Sequence, residues 1–278
     1  MIGIIDVGGG LRGVYGAGVF DRCLDEKIHF YQCIGVSAGG ANVISYMAGQ
    51  RGRNYRFYCD YAFRKEYMSL SNLVKTGSYI GLDYIYGTLS NEGGEDPVDF
   101  QKVLDYNGSI AVVATEAATA KPHYFGIDDF QKSNFRALCA SCCIPVVCKA
   151  VDINGTEYYD GGVSDPVPIE KALSLGCDKV VVILTKPVDF IRDGKTDSYA
   201  GSILRKKYPA ISKALNERAE IYNNAVRKAL QLEKEGKCII IAPDDCCGVT
   251  TLSKNKNKLD ALYIKGYKDA SKIKTFLK

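Results

Sequence analysis

A Gly-x-Ser-x-Gly motif, Gly35 to Gly39, carries the side chain of this chain best suited to nucleophilic chemistry, Ser37. An apolar, strand-like run precedes Ser37, and a run rich in alanine and other small residues follows it. A strand that passes at once into a helix at Gly-x-Ser needs a tight turn, which exposes the serine hydroxyl above the sheet. Gly35 and Gly39 leave room for this turn. The helix start also points free N–H groups and its positive dipole end at the site, which suits a developing oxyanion.

A glycine-rich loop over residues 8–13 follows the first apolar run of the chain. Gly8, Gly10 and Gly13 fit the Gly-x-Gly-x-x-Gly fingerprint of dinucleotide sites. That use also requires an acidic residue at the end of the second strand, where this chain has Ser37 and no carboxylate. The loop can instead present backbone N–H groups to an acyl oxyanion, or its glycines can serve only close strand–helix packing. A nucleophile on the adjacent strand favours the oxyanion use.

A nucleophilic serine needs a base that takes its proton, and the chain has two histidines, His29 and His123. His29 precedes the second strand, so we expect it at the opposite end of the sheet from Ser37. His123 is predicted to lie in a loop or at a strand edge, and no histidine follows it to complete the usual hydrolase order. The best remaining candidate is Asp160, since desolvation and a direct hydrogen bond to the serine hydroxyl make a carboxylate a more effective base.

The composition is that of an ordinary globular protein, with 278 residues, 24% charged, 46% hydrophobic and a net charge of +4. A chain of this length buries roughly 75% of its unfolded surface, enough for one large α/β domain with or without an extension. Nucleic acid is not an expected partner because no basic stripe is interleaved with aromatic residues. Lys254, Lys256 and Lys258 indicate a solvated helix entry, with contact to anionic lipid headgroups as the alternative.

The expected location is the cytoplasm, with peripheral contact to a membrane as an option. Residues 1–6 lack the features of a signal peptide, and no run reaches the ~20 apolar residues of a membrane span. The eleven cysteines indicate free thiols in a reducing compartment. Cys139, Cys142, Cys143 and Cys148 do not form paired Cys-x-x-Cys knuckles, so we favour packing over zinc and expect no metal.

The elements that position these motifs follow from the hydrophobic pattern. Strands are predicted over residues 2–6, 31–36, 109–115, 179–185 and 238–242, and a hairpin turns at Asn154-Gly155 between residues 148–152 and 157–159. Helices are predicted over residues 14–27, 38–48, 55–67, 134–141, 169–175, 210–235 and 259–277. Residues 70–105 are less regular and either cover a cleft or form a surface insertion. Alternating helices and unbroken Val/Ile strands predict a mainly parallel sheet covered on both faces.

Three motifs together resemble the patatin-like phospholipase family: residues 8–13, residues 35–39 and the Asp160-Gly161-Gly162 turn. Residues 140–145 also fit that family's Ala-Ser-x-x-x-Pro segment. The resemblance covers roughly residues 4–187. It implies a three-layer α/β/α fold with a mainly parallel central sheet, and hydrolysis of lipid acyl esters without a metal or another cofactor. The substrate and partner that it implies is a lipid or acyl ester.

The resemblance also assigns roles to residues of this chain. Ser37 is the nucleophile and Asp160 is the base of a Ser–Asp dyad. The predicted oxyanion hole consists of Gly8, Gly9, Gly10, Leu11 and Arg12. The glycines that support the motifs are Gly13, Gly35, Gly39, Gly161 and Gly162.

Residues 1–188 are predicted to form the patatin-like catalytic core, and residues 189–278 a C-terminal extension of helices and one strand that packs on it. The leading functional prediction is a serine lipid acyl hydrolase. Two alternatives stay open: a nucleotide-binding oxidoreductase that uses the residue 8–13 loop, and a patatin-fold regulator without catalytic activity.

Overall fold

The protein is described by a computed structural model of residues 1–278, built around one eight-stranded sheet. The strands are β1 (Ile2–Asp6), β2 (Gln32–Val36), β3 (Ser109–Glu116), β4 (Pro122–Phe125), β5 (Val151–Ile153), β6 (Thr156–Asp160), β7 (Lys179–Ile183) and β8 (Cys238–Ile241). Their order is β5-β6-β3-β2-β1-β7-β8, and β4 pairs with β3 outside this row. The β3-β2-β1-β7-β8 stretch is parallel throughout, whereas the pairs that involve β4, β5 and β6 are antiparallel. The predicted mainly parallel sheet is confirmed.

Eleven α-helices surround the sheet. They are α1 (Val14–Asp25), α2 (Ala38–Met47), α3 (Arg53–Cys59), α4 (Leu70–Thr76), α5 (Phe100–Leu104), α6 (Arg136–Ser141), α7 (Ile169–Ser174), α8 (Lys195–Leu204), α9 (Pro209–Lys234), α10 (Lys256–Asp269) and α11 (Ser271–Leu277). Short 3₁₀-helical turns follow the glycine loop and the end of β6.

The sheet separates two apolar layers because successive strand residues point to opposite faces. Ile4 of β1 belongs to the larger layer, which includes buried residues of α1, α2 and α6. Its neighbour Ile5 belongs to the smaller layer, which is covered by α7 and α9. The protein therefore has the three-layer α/β/α architecture that was predicted, with a helical C-terminal region.

The C-terminal region is joined to the rest through both the sheet and the helices. Strand β8 adds to the edge of β7, and α10 packs along α1. This contact is close because a Cβ on Gly18 would lie 2.8 Å from the backbone nitrogen of Tyr267. Hydrogen bonds from Tyr15 to Asp269 at 2.8 Å and from Tyr263 to Asp21 at 2.6 Å flank the same contact. The division of the chain at residue 188 stays a prediction.

Some predicted elements were wrong in detail. The single helix expected over residues 55–67 ends at Cys59, where a 3₁₀-helical turn takes over. The single terminal helix is two helices that meet at Ala270. Strand β4 and helix α8 were not predicted, and the irregular stretch 70–105 contains α4, α5 and one π-helical turn. Strand β4 and the elements within residues 70–105 are short, and a short element has a weak hydrophobic pattern.

Candidate active site

Ser37 occupies a strained turn between β2 and α2. Its backbone angles are φ 56° and ψ −132°, a combination that costs a non-glycine residue about 1–3 kcal/mol. The turn is tightly packed, since a Cβ on Gly35 would lie 2.7 Å from the carbonyl carbon of Gly39 and a Cβ on Gly39 would lie 2.8 Å from that of Asp6. The Ser37 N–H donates a hydrogen bond of 2.8 Å to the Ser141 hydroxyl. The surrounding structure therefore holds the strained serine in place.

The register of β3 explains how Ser37 and Asp160 meet. The first residues of β3 pair with β2, and Val113 lies opposite Val36, the last residue of β2. The next residue, Ala114, lies opposite Asp160, the last residue of β6. Strand β4 also pairs with β3 at Val113 and Ala114. It therefore lies along one edge of β3, and β2 and β6 share the opposite edge. Strands β2 and β6 therefore lie in line, their carboxyl ends meet, and Ser37 follows directly at the junction.

The Asp160 carboxylate is buried and accepts a backbone hydrogen bond. Its exposed fraction is 5%, and its Oδ1 accepts a hydrogen bond of 2.8 Å from the Gly162 N–H. Burial raises the pKa of Asp160, while the Ser37 hydroxyl and then the positive charge of Arg218 act in the opposite direction. A carboxylate that faces a serine hydroxyl and has a raised pKa is suited to accept that proton.

The glycine loop turns sharply over three residues with positive φ: Gly8 at 62°, Gly9 at 119° and Gly10 at 61°. The Gly8 N–H donates to Asp6 Oδ1 at 2.9 Å, and the Leu11 N–H donates to the Thr251 carbonyl oxygen at 2.9 Å. These two donors are engaged within the protein. The N–H groups of Gly9 and Gly10 donate to no protein acceptor, so they are free to bind an oxyanion.

Two residues that secure this loop were not singled out from the sequence. Asp6 is fully buried, accepts hydrogen bonds from Gly8 and from the Asn42 side chain at 2.8 Å, and has a pKa that burial raises to about 6. Thr251 also accepts a hydrogen bond of 2.8 Å from Arg12 Nη1 through its hydroxyl. An acidic residue two positions before the first glycine of the loop was a visible signal for Asp6. Nothing near residue 251 pointed to the loop.

The remaining predicted glycines lie at close contacts around the two motifs. A Cβ on Gly13 would lie 3.1 Å from the Ala38 Cβ, at the start of α2. A Cβ on Gly161 would lie 2.9 Å from the Val113 Cβ, and one on Gly162 would lie 2.9 Å from Arg218 Nη2. The glycines therefore let the loop, α2 and the end of β6 approach one another.

An apolar cavity of about 60 Å³ opens beside Ser37. It runs between α2 and α3 and the segment that includes the π-helical turn (Tyr84–Thr88). Most of its lining is apolar, and the residues that define it best are Leu11, Tyr58, Met68, Ile85, Tyr86 and Leu252. An apolar lining of this kind suits contact with a hydrocarbon segment.

A second cleft, of about 410 Å³, includes both Ser37 and Asp160 in its lining. Four positively charged residues line it: Arg12, Lys186, Arg192 and Arg218. Three of the four come after residue 185, so the C-terminal part of the chain contributes most of the charge. Sequence reasoning identified Arg12 alone.

Neither histidine lies beside Ser37. His29 Nε2 donates to the Asn107 carbonyl oxygen at 2.7 Å and the ring stacks on Tyr106, near the start of β2, whereas Ser37 follows its end. His123 pairs with the edge of β3 opposite to Asp160. Two strand spacings, about 10 Å, therefore separate the His123 and Asp160 backbones.

The cysteines serve packing. Nine of the eleven are buried, including the four between residues 139 and 148. No group of three or more His, Cys, Asp or Glu side chains is arranged to hold a metal ion.

Two of the three lysines at the entry to α10 are engaged within the protein. Lys254 Nζ donates to the Met68 carbonyl oxygen at 2.8 Å, and Lys256 pairs with Asp60 at 2.6 Å. None of the helices combines the length and apolar character needed to cross a bilayer. Contact with a membrane surface stays a prediction.

Comparison with known proteins places this fold and these motifs in a family. The chain belongs to the patatin-like phospholipase family, whose profile matches residues 7–173. The resemblance seen in the sequence is thereby confirmed. A second profile, Domain of unknown function (DUF6363), matches residues 208–277.

Two similar proteins give further context. "Uncharacterized protein YjjU" of Escherichia coli (strain K12) is 27% identical over 188 residues, which are 67% of this chain and 52% of YjjU. The chain thus spans about half the length of this curated relative. The crystal structure of VipD from Legionella pneumophila aligns with a TM-score of 0.48 and 13% identity, covering 98% of this chain and 66% of VipD.

Proposed function

We propose that the protein is a serine acyl hydrolase that cleaves fatty acyl esters of lipids, with Ser37 as nucleophile and Asp160 as base. The observation that carries this proposal is the head-to-head arrangement of β2 and β6, whose ends bring a strained serine against a buried carboxylate. Membership in the patatin-like phospholipase family supports the same reaction class.

The first half of the reaction forms an acyl-enzyme. Asp160 accepts the proton of the Ser37 hydroxyl as Oγ bonds to the ester carbonyl carbon, and the carbonyl oxygen becomes an oxyanion. The tetrahedral intermediate collapses when the bond to the alcohol oxygen breaks. Asp160 returns its proton to that oxygen, so the alcohol leaves neutral and the acyl group remains on Ser37.

The second half regenerates the enzyme. A water molecule gives a proton to Asp160 as its oxygen bonds to the acyl carbon. The bond to Ser37 Oγ then breaks, and Ser37 recovers the proton from Asp160. The products are the alcohol and the fatty acid, and the net reaction consumes one water.

We assign the N–H groups of Gly9 and Gly10 to bind the oxyanion in both steps, since those of Gly8 and Leu11 already have acceptors. Removing one such donor lowers the rate of a serine hydrolase about 10²–10³-fold. The start of α2 adds its positive dipole end at Ser37. The apolar residues beside Ser37 are assigned to contact the hydrocarbon next to the ester carbonyl.

The test is covalent labelling with a fluorophosphonate, read as intact mass, together with hydrolysis of a long-chain acyl ester. We expect one adduct on the wild type and none on Ser37→Ala. Asp160→Asn should lose at least about 10³-fold in ester hydrolysis, as removal of a catalytic base does in other serine hydrolases.

Ser174→Ala is the matched control, because this serine is exposed on α7 and lines neither the cavity nor the cleft. It should keep both the adduct and the hydrolysis rate. A folded wild type that forms no adduct and cleaves no ester would overturn the proposal in favour of a regulator without activity. Binding of a nicotinamide cofactor by that protein would favour the oxidoreductase alternative.

A further inference from the structure

Helix α4 turns an apolar stripe toward solvent. Leu70, Leu73 and Val74 occupy positions i, i+3 and i+4, so they share one face of the helix. Their exposed fractions are 72%, 40% and 86%, and no residue of α4 is buried. A surface helix of a globular protein usually directs such a stripe toward the core. The apolar face of α4 therefore lies largely in water.

The base of α4 lies at the apolar cavity beside Ser37. Met68 and Ile80, which flank the helix, form an antiparallel bridge with each other. Both residues line the cavity. Helix α4 is thus an excursion of the chain from the cavity wall, and its apolar stripe begins two residues after Met68.

The loop that follows α6 connects the end of α4 to the cleft. The Tyr79 N–H donates to the Val147 carbonyl oxygen at 2.8 Å, and the Lys149 N–H donates to the Ser78 hydroxyl at 3.0 Å. Val146 lines the cleft that contains the proposed dyad. Its φ of 71° is an unusual value for a β-branched residue, and this backbone leaves the Val146 side chain exposed.

Helix α8 adds two exposed apolar residues at the same cleft. Tyr199 and Ile203 lie one turn apart on α8, and both line the cleft together with Val146. Their exposed fractions are 71% and 50%, so much of each side chain is in contact with solvent. We refer to the exposed apolar residues of these three segments, Leu70, Leu73, Val74, Val146, Tyr199 and Ile203, as the apolar rim.

The charges that accompany the apolar rim all have one sign. Its three segments carry cations and no aspartate or glutamate: residues 69–79 with Lys75, residues 144–150 with Lys149, and residues 198–205 with Arg205. All three cationic side chains are exposed. An anionic bilayer is complementary to such a surface, because it offers hydrocarbon beneath negatively charged headgroups. A symmetric contact between two copies of this chain would instead bring like charges together.

We propose that the apolar rim and its three cations dock the protein on the surface of an anionic lipid bilayer, with the cleft open toward the lipid. The choice of lipid rests on the proposed function, because a hydrolase of lipid esters meets its substrate at such a surface. Leu70 and Val74 enter the boundary between headgroups and acyl chains, as the apolar face of an interfacial helix does. Lys75 and Arg205 contact the headgroups.

The first experiment measures sedimentation of the Ser37→Ala protein with vesicles, so that the lipid is not consumed. One set of vesicles is phosphatidylcholine, and the other is phosphatidylcholine mixed with phosphatidylglycerol. We expect a partition coefficient at least about tenfold higher on the mixed vesicles. Added salt should reduce this preference, because it screens exposed charges.

The apolar part of the surface is tested by Leu70→Ser combined with Val74→Ser. The double variant should bind the mixed vesicles at least about tenfold more weakly, because both side chains lose burial in the lipid. The matched control is Leu104→Ser with Ile264→Ser, since these residues are 51% and 49% exposed and line neither the cavity nor the cleft. Equal partition coefficients for the two double variants would overturn the docking surface.

The charged part is tested by Lys75→Gln combined with Arg205→Gln. Binding to the mixed vesicles should fall about 10- to 30-fold, the factor expected for two cations near an anionic surface. Lys272→Gln with Lys274→Gln removes two exposed cations from α11 and should leave binding unchanged. An equal loss in both pairs would overturn the proposal, because net charge rather than this surface would then cause the binding.

Hydrolysis separates failure of the docking surface from failure of the proposed function. With Ser37 intact, Leu70→Ser with Val74→Ser should keep kcat/KM on a water-soluble butyrate ester and lose at least about tenfold on a long-chain ester in the mixed vesicles. A wild type that binds the vesicles but cleaves neither ester would sustain the docking surface and overturn the proposed function.

Absence of vesicle binding would overturn the docking surface. The alternative occupant of the apolar rim, a second copy of this chain, is tested by analytical ultracentrifugation. A wild-type dimer that Leu70→Ser with Val74→Ser dissociates, in a protein that binds no vesicles, would assign the surface to that second copy.

Discussion

The Ser141 hydroxyl accepts a hydrogen bond of 2.8 Å from the backbone N–H of Ser37. Two residues further on, the Cys143 carbonyl oxygen accepts one of the same length from the Asp160 N–H. The end of α6 and the turn that follows therefore hold both residues of the proposed dyad through their backbones. Ser141 itself is fully buried and acts as a positioning residue.

Ser141→Ala should lower kcat about 10- to 100-fold with little change in KM. The Ser37 N–H would lose its buried acceptor, which costs about 1–3 kcal/mol, and the strained turn would relax away from Asp160. Steady-state kinetics on a long-chain ester measures the split between kcat and KM. Ser141→Thr keeps the hydroxyl and should restore most of kcat; a loss of melting temperature with unchanged kcat would refute the positioning role.

The pH profile of kcat/KM should report the raised pKa of Asp160. The carboxylate must be ionised to accept a proton, so the rate falls as the pH drops through this pKa. Because burial raises the pKa, the acidic limb should lie above the pH of about 4 expected for an exposed aspartate.

Arg218→Gln should move that acidic limb to still higher pH. The positive charge of Arg218 lowers the pKa of Asp160, so its removal makes the carboxylate harder to ionise. A pH–rate profile of the variant beside Lys206→Met, whose limb should not move, checks this. A shift of the Arg218→Gln limb to lower pH would contradict the assignment of Asp160 as the base.

Thr251→Val should reduce kcat/KM about 5- to 10-fold on any acyl ester. The Thr251 hydroxyl accepts the Arg12 Nη1 hydrogen bond, and Arg12 already has one buried nitrogen without an acceptor. A net loss of about 1–1.5 kcal/mol corresponds to this factor. Thr250→Val is the matched control, since Thr250 is exposed; equal rates for both variants would refute the contribution of Thr251.

Gly18→Ala should destabilise the protein by about 1–3 kcal/mol, the usual cost of forcing an extra methyl group into a packed contact. The new Cβ would overlap the Tyr263 carbonyl and push α10 away from α1. Gly87→Ala is the control, because no atom lies within 4 Å of its Cβ position and its φ is not positive. Chemical denaturation of both variants measures the difference, and equal stabilities would contradict the close α1–α10 contact.

The sequence predicted the central strands well because each is a continuous apolar run. The predicted bounds of β1 match the structure, and those of β2 differ by one residue. Strand β4 was missed because Pro122–Phe125 is short and half-exposed, so its pairing with β3 depends on tertiary structure. The break at Ala270 was missed because no glycine or proline marks it.

The site was predictable only where local motifs define it. Ser37 and Asp160 were chosen because each lies in a short glycine-containing pattern with a stated chemical use. Other parts of the site come together only through folding. These are the acceptor that Thr251 provides to the loop and the cations at positions 186, 192 and 218. A single sequence has no local signal for such contacts.

The hydrogen bond from Leu11 to Thr251 also sets an order of events during synthesis. More than 200 residues separate Ser37 from Thr251, and ribosomes add roughly 5–20 residues per second. Ser37 therefore leaves the ribosome about 10 to 40 s before Thr251, the residue that binds the glycine loop. During that interval the Leu11 N–H lacks its acceptor, and the glycine loop is complete only once β8 and the segment after it have docked.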